Sequence, residues 1–159
     1  MDQTPEDSTL SEEQLAKCKV LVVDDNPQNL ELLVAYLDSL KCQVLTAADG
    51  LDAIEKVHQG GIDLILLDIM MPRMSGFEVC RKLKSDPTTR DIPIIMVTAL
   101  NELSDIERGV ESGTDDFITK PVNRLELLTR VKSLLRVRTL RGELDRTLAY
   151  LNDMDIEGA

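Results

Sequence analysis

Tryptophan is absent from this 159-residue chain and aromatic residues make up only 3% of it, so its core must be built from aliphatic side chains. The one histidine, His58, lies in a stretch that reads as helix and is expected to be a solvated surface residue, not a proton relay. The three cysteines, Cys18, Cys42 and Cys80, are odd in number and lack metal-ligand spacing. No charged-then-apolar signal segment opens the chain, and together these features point to a reducing cytoplasm. Cys18 and Cys42 flank strands that would be neighbours, yet no disulfide is expected between them in that compartment. Long apolar runs are missing too: none approaches the roughly 20 residues needed to span a bilayer, so no membrane crossing is expected. Positive charge is scarce, with 18 lysines and arginines against 29 acids and a formal net charge of -11. That balance disfavours direct binding to nucleic acid or to an anionic membrane.

What is present has the length of one ordinary domain with appendages. Residues 1–17 carry Asp2, Glu6, Asp7, Glu12 and Glu13 with Pro5 and no apolar period, and read as a flexible acidic leader. From there to residue 138, short aliphatic runs alternate with amphipathic stretches, the form of repeated βα units and of an α/β fold. The strand runs are Val20–Val23, Gln43–Thr46, Ile62–Leu67, Ile94–Thr98 and Phe117–Thr119.

Five helices fit between and after them. Asn26 suits an N-cap, Pro27 the first helical position, and Leu30, Leu33, Val34 and Leu37 then form one stripe. A second helix runs from Gly50 to Gly60-Gly61, a third from about Phe77 to Leu83, and a fourth from Leu103 to Glu111. Gly109 should cost the fourth about 1 kcal/mol relative to alanine, making it the least stable. The fifth starts near Asn123, with Leu125, Leu128, Val131 and Leu135 placed to dock on the sheet. It is expected to outrun the domain as a helical extension over residues 139–159, frayed at its end. There Leu134, Val137, Leu144, Leu148 and Leu151 recur at threes and fours, interrupted by Arg141 and Gly142, a weak coiled-coil pattern.

Charge collects where strands end. Asp24 and Asp25 follow the first run, Asp68 ends the third and Lys120-Pro121 follows the fifth. In a parallel α/β sheet those carboxyl ends share one edge, the edge at which such sheets bind ligands. Three carboxylates repel one another, so the site calls for a divalent cation beside Lys120. Adjacent aspartates suit a hard cation such as Mg2+, which leaves coordination positions open for a phosphate oxygen. Asp68 reads as either a third metal ligand or a nucleophile toward phosphorus. Thr98 offers a hydroxyl and Lys120 a mobile point charge for phosphate oxygens, while Pro121 allows a cis bond that would aim Lys120. Taken singly, each has an ordinary explanation: aspartate and asparagine cap helices, and threonine favours strands.

In combination, these residues resemble the receiver domain of two-component response regulators. The match covers roughly residues 19–135: Asp24-Asp25, Asp68 followed by Met71-Pro72 and Ser75-Gly76, Thr98-Ala99, Gly113 and Lys120-Pro121 occur in that family's order. The resemblance implies a flavodoxin-like, doubly wound five-stranded parallel sheet of order 2-1-3-4-5. It implies Mg2+ held by Asp24, Asp25, Asp68 and the backbone carbonyl of Met70, and phosphoryl transfer to Asp68 from a histidine kinase or a histidine phosphotransfer protein. Thr98 and Lys120 would contact the phosphoryl group. Phe117, in the family's switch position, would turn inward as Thr98 moves; otherwise it is a fully buried core residue. Met70 and Leu100 flank the site and would tune water access.

Two stretches, Cys80–Lys84 with Asp86–Thr89 and Leu127–Arg136, are similar to receivers that precede diguanylate cyclase domains, though no GG(D/E)EF motif is present. The chain therefore reads as a stand-alone receiver with a helical tail or as a piece that lost its output domain. A downstream protein target and a homodimer through the last helix are the further expected partners. A phosphatase of the haloacid dehalogenase type would need Asp-x-Asp after the first strand, and Asp24-Asp25-Asn26 stands there. A degenerate receiver would lack an acid or the lysine, and none is missing.

Overall fold

A computed structural model describes residues 10–99 and 103–158. Five parallel strands, β1 (Lys19–Val23), β2 (Gln43–Ala47), β3 (Leu64–Asp68), β4 (Ile94–Thr98) and β5 (Asp116–Thr119), form one sheet of order β2-β1-β3-β4-β5. The helices are α1 (Glu12–Lys17), α2 (Pro27–Leu37), α3 (Gly50–His58), α4 (Gly76–Ser85), α5 (Leu103–Ser112) and α6 (Arg124–Gly158), with a short 3-10 turn at Asp38–Leu40. This is the flavodoxin-like doubly wound architecture that the resemblance implied.

β3 and β4 are buried on both faces along their whole length, which is why they read as unbroken aliphatic runs; edge strand β2 alternates instead. Leu21, Val23, Ile65, Leu67 and Met96 pack beneath α3 and α4. Val20, Val22, Leu64, Leu66, Ile95 and Val97 face the other way, onto α2 and α6. Helix starts follow local chemistry: Asn26 Oδ1 accepts from the N–H groups of Gln28 and Asn29 at 2.8 and 3.3 Å, and Ser75 caps α4.

Two expectations are corrected. Of the leader, residues 1–9 lie outside the described residues, but residues 12–17 form α1, giving six α-helices among the described residues where five were expected. Its capping box is complete, with Gln14 N donating to Ser11 Oγ at 3.1 Å and Ser11 N to Gln14 Oε1 at 2.8 Å, and Leu15 is buried in the core shared with α2 and α6. On α6 the sheet-facing residues are Leu127, Leu128, Val131 and Leu135, whereas Leu125 is exposed. Leu125 lies about 120° round the helix from Val131 at 100° per residue, beyond the buried stripe. The same helix runs through Gly142 to Gly158, so the expected helical extension is continuous with the docked part. The three cysteines are free thiols, and burial pushes Cys18 up to about 11. Among the described residues, no helix is long and apolar enough to cross a membrane.

Candidate functional site

β1, β3 and, across β4, β5 end at one edge of the sheet around a pocket of charge. Asp24 immediately follows β1, and its N–H donates to Ala47 O of β2 at 3.1 Å, which seats the turn; its Oδ1 accepts from Asn26 N at 2.9 Å. Asp68 is the last residue of β3, paired with Val97 of β4. Both carboxylates are buried, at 1% and 4% exposure, while Asp25 is open to solvent. One carboxylate oxygen from each of the three lies within 4.8 Å of the others.

Lys120 reaches this cluster from the segment after β5, where its N–H donates to Thr98 O at 2.8 Å and its bond to Pro121 is cis. Its ammonium donates to Asp68 Oδ1 at 3.0 Å and to Asp24 Oδ2 at 3.3 Å. Three carboxylates against one ammonium leave a local excess of two negative charges, the charge of one divalent cation. Burial pushes the Asp68 carboxyl above its ordinary range, the hydrogen bond from Lys120 opposes this, and the charges of Asp24 and Asp25 add to the rise. Burial works against the ammonium of Lys120, yet its hydrogen bond to Asp68 and the charges of Asp68 and Asp24 hold it above its usual value. The all-oxygen donor set, two acids buried and one exposed, fits a hard divalent cation that keeps part of its water shell.

The remaining predicted residues fall around this pocket. Thr98 is buried at the end of β4, and Met70, 65% exposed, stands on the loop after Asp68. Phe117 is half-buried against the α3/α4 side of the core, so it is not the fully enclosed residue its lack of a hydroxyl would have allowed. Leu100 lies outside the described residues. Sequence reasoning missed what Gly76 does: a Cβ there would sit 2.3 Å from the carbonyl oxygen of Asp68, so α4 can start against the end of β3 only with glycine. The Ser75-Gly76 pair was visible, but its closeness to Asp68 depends on the path of the intervening loop.

A family model described as "response regulator receiver domain" matches residues 20–132. The chain is 48% identical over 126 residues to the response regulator PleD of Caulobacter vibrioides, covering 79% of this chain and 28% of that protein. It is 41% identical over 118 residues to the DNA-binding dual master transcriptional regulator RpaA of Synechocystis, covering 74% and 49%. The chain thus spans about half or less of these relatives' length. Among solved structures it resembles the receiver domain of the Pseudomonas aeruginosa sensor histidine kinase PA1611, described with a magnesium ion coordinated in its active-site cleft. There the TM-score is 0.70 at 32% identity, covering 76% of this chain and 98% of that one. It also resembles the Vibrio cholerae chemotaxis protein CheY4, with a TM-score of 0.71 at 30% identity over 75% and 99% of the two chains.

The chain belongs to the response regulator receiver domain family. Its members are the signalling switches of two-component systems.

Proposed function

We propose that this chain is a phosphoacceptor switch in which Asp68 takes a phosphoryl group from the phosphohistidine of a histidine kinase or histidine phosphotransfer protein. The observation that carries this reading is the meeting of Asp24, Asp25 and Asp68 within 4.8 Å beside the Lys120 ammonium, 3.0 Å from Asp68. Asp24, Asp25, Asp68 and the backbone carbonyl of Met70 would hold Mg2+, which when bound neutralises the phosphoryl oxygens. A carboxylate oxygen of Asp68 forms the new O–P bond as the P–N bond of the donor breaks, and its electron pair returns to the imidazole nitrogen. Lys120 then shifts from neutralising a carboxylate to binding a phosphoryl oxygen, and the Thr98 hydroxyl donates to another. Phe117 follows Thr98, which changes the surface made by α5, β5 and α6. The chain catalyses only its own phosphorylation and dephosphorylation, and family membership supports a cytoplasmic setting.

Mixing the chain with acetyl phosphate and Mg2+ should add one phosphoryl group by intact mass, and Asp68→Asn should abolish the addition. Labelling that persists in Asp68→Asn would refute the assignment.

The output is read by a protein partner: a downstream target, an output domain on the same chain, or a second copy. The second copy is favoured by one observation, the exposure of Leu140, Leu144, Leu148 and Leu151 on the part of α6 that runs past the sheet. Direct nucleic-acid binding is disfavoured by the net charge of -11.

A further inference from the structure

Glycine is among the poorest residues for a helix interior, yet Gly109 sits in the middle of α5. Its backbone does not require glycine: positive φ values occur at Gly60, Gly61 and Gly113, and Gly109 is not among them. Space requires it instead. A Cβ on Gly109 would lie 2.2 Å from Cζ and 2.6 Å from Cε1 of Phe117, and 3.4 Å from Met96 Sδ. The first two distances are far inside van der Waals contact. Met96 and Phe117 are register partners on β4 and β5, so both side chains leave the same face of the sheet. The Phe117 ring therefore lies in the seam between that face and α5, its tip in the volume that a side chain at 109 would fill. Because β5 is the edge strand and Phe117 is only half-buried, the ring has a way out of the seam that leaves the fold intact.

We propose that Gly109 is a positioning residue for the switch: the notch left by its missing side chain seats the Phe117 ring, and the size of residue 109 sets the balance between seated and outward rings. This rests on the reading of Phe117 as the switch residue. A helix residue that does not touch the phosphorylation pocket would then govern how readily Asp68 modification is transmitted to the α5–β5 surface. Alanine should favour the outward ring before any phosphoryl group arrives.

The chain contains two phenylalanines, Phe77 and Phe117, so fluorophenylalanine labelling gives two 19F resonances, assigned by Phe117→Ala. In the 159-residue chain, Gly109→Ala should move the Phe117 resonance toward that of the free amino acid and shrink the shift induced by beryllofluoride and Mg2+. Phe77 lies on α4 with the Arg108 guanidinium of α5 4.4 Å over its ring, so shifts are referenced to free trifluoroacetate and not to Phe77. Denaturant titrations complete a double-mutant cycle. With Phe117→Ala already in place, Gly109→Ala should raise the folding constant roughly fivefold through helix propensity. In the wild-type background it should give no gain. An equal gain in both backgrounds, or an unmoved Phe117 resonance in Gly109→Ala, overturns the notch. A cycle that shows coupling while the wild-type Phe117 resonance ignores beryllofluoride removes the switch role of Phe117, whereas the phosphoacceptor reading stands or falls separately on the labelling of Asp68.

Discussion

Asp24 and Asp68 are both buried within reach of one ammonium, and that contact lets two carboxylates share a site in the absence of metal. Removing Lys120 should therefore affect both stability and signalling. Breaking a buried ion pair from one side costs about 3–5 kcal/mol. Here the Lys120 side chain is a quarter exposed and Asp68 can take up a proton, so we expect about 2 kcal/mol for Lys120→Ala. Urea unfolding should show that loss, and added Mg2+ should recover part of it by replacing the missing cation. Phosphorylation by acetyl phosphate should slow as well, and wild-type stability together with a wild-type rate would remove Lys120 from the site. At this scale the sequence was informative because a charged residue directly after an aliphatic strand has few places to go except the sheet edge. Gly76 and Gly109 were opaque for the opposite reason: what each must avoid, the Asp68 carbonyl and the Phe117 ring, comes from another element.

Between elements, the clearest titratable contact joins the ends of α3 and α4. His58 Nε2 lies 3.0 Å from Asp86 Oδ2, while its Nδ1 lies 3.0 Å from Ile54 O. The hydrogen bond that the imidazole donates to Asp86, then that to Ile54 O, raises the imidazole above its ordinary value of 6.5, and the same contact lowers Asp86 to about 2. A raised histidine stabilises the fold fully below its unfolded pKa and loses that contribution as pH climbs through the folded pKa. As the only histidine, His58 gives one NMR titration curve. Its midpoint should lie above 6.5 and fall back toward that value in Asp86→Asn. A midpoint unmoved by Asp86→Asn would show that the pair does not persist in solution. Most elements were legible because aliphatic runs and caps are local signals. α1 was not: two leucines, Leu10 and Leu15, give no helical period, and its order depends on Leu15 packing against core residues of α2 and α6. Its capping box, Ser11 with Gln14, was there to be read.

For the whole molecule, the telling feature is α6. At 35 residues it is about 52 Å long, well beyond what the sheet can cover. Among the described residues its last side-chain hydrogen bonds to the domain come from Arg138, which reaches Asp63 Oδ1 at 3.2 Å and the carbonyls of Asp91 and Ile62 at 3.2 and 3.4 Å. Past it, Leu140, Leu144, Leu148 and Leu151 are exposed. With Arg141 interrupting the seam and barely two heptads available, a dimer through this helix should be weak and concentration-dependent. Light scattering should find the beryllofluoride-treated chain heavier than the untreated one, and a chain ending at Arg138 monomeric in both conditions. Four monomeric samples would rule the dimer out.

From its sequence alone, the chain determined a parallel α/β sheet, the helices that carry strong caps and stripes, and the four charged residues at one edge, because periodicity, capping and strand-end placement act over a few residues. Tertiary structure decided how those pieces constrain one another. It let Lys120 bridge Asp68 and Asp24, ordered α1 by burying Leu15, turned Leu125 outward, and set the Phe117 ring in the space left by Gly109. Each of these depends on distances between groups far apart in sequence, fixed only when the sheet and its two helical layers pack.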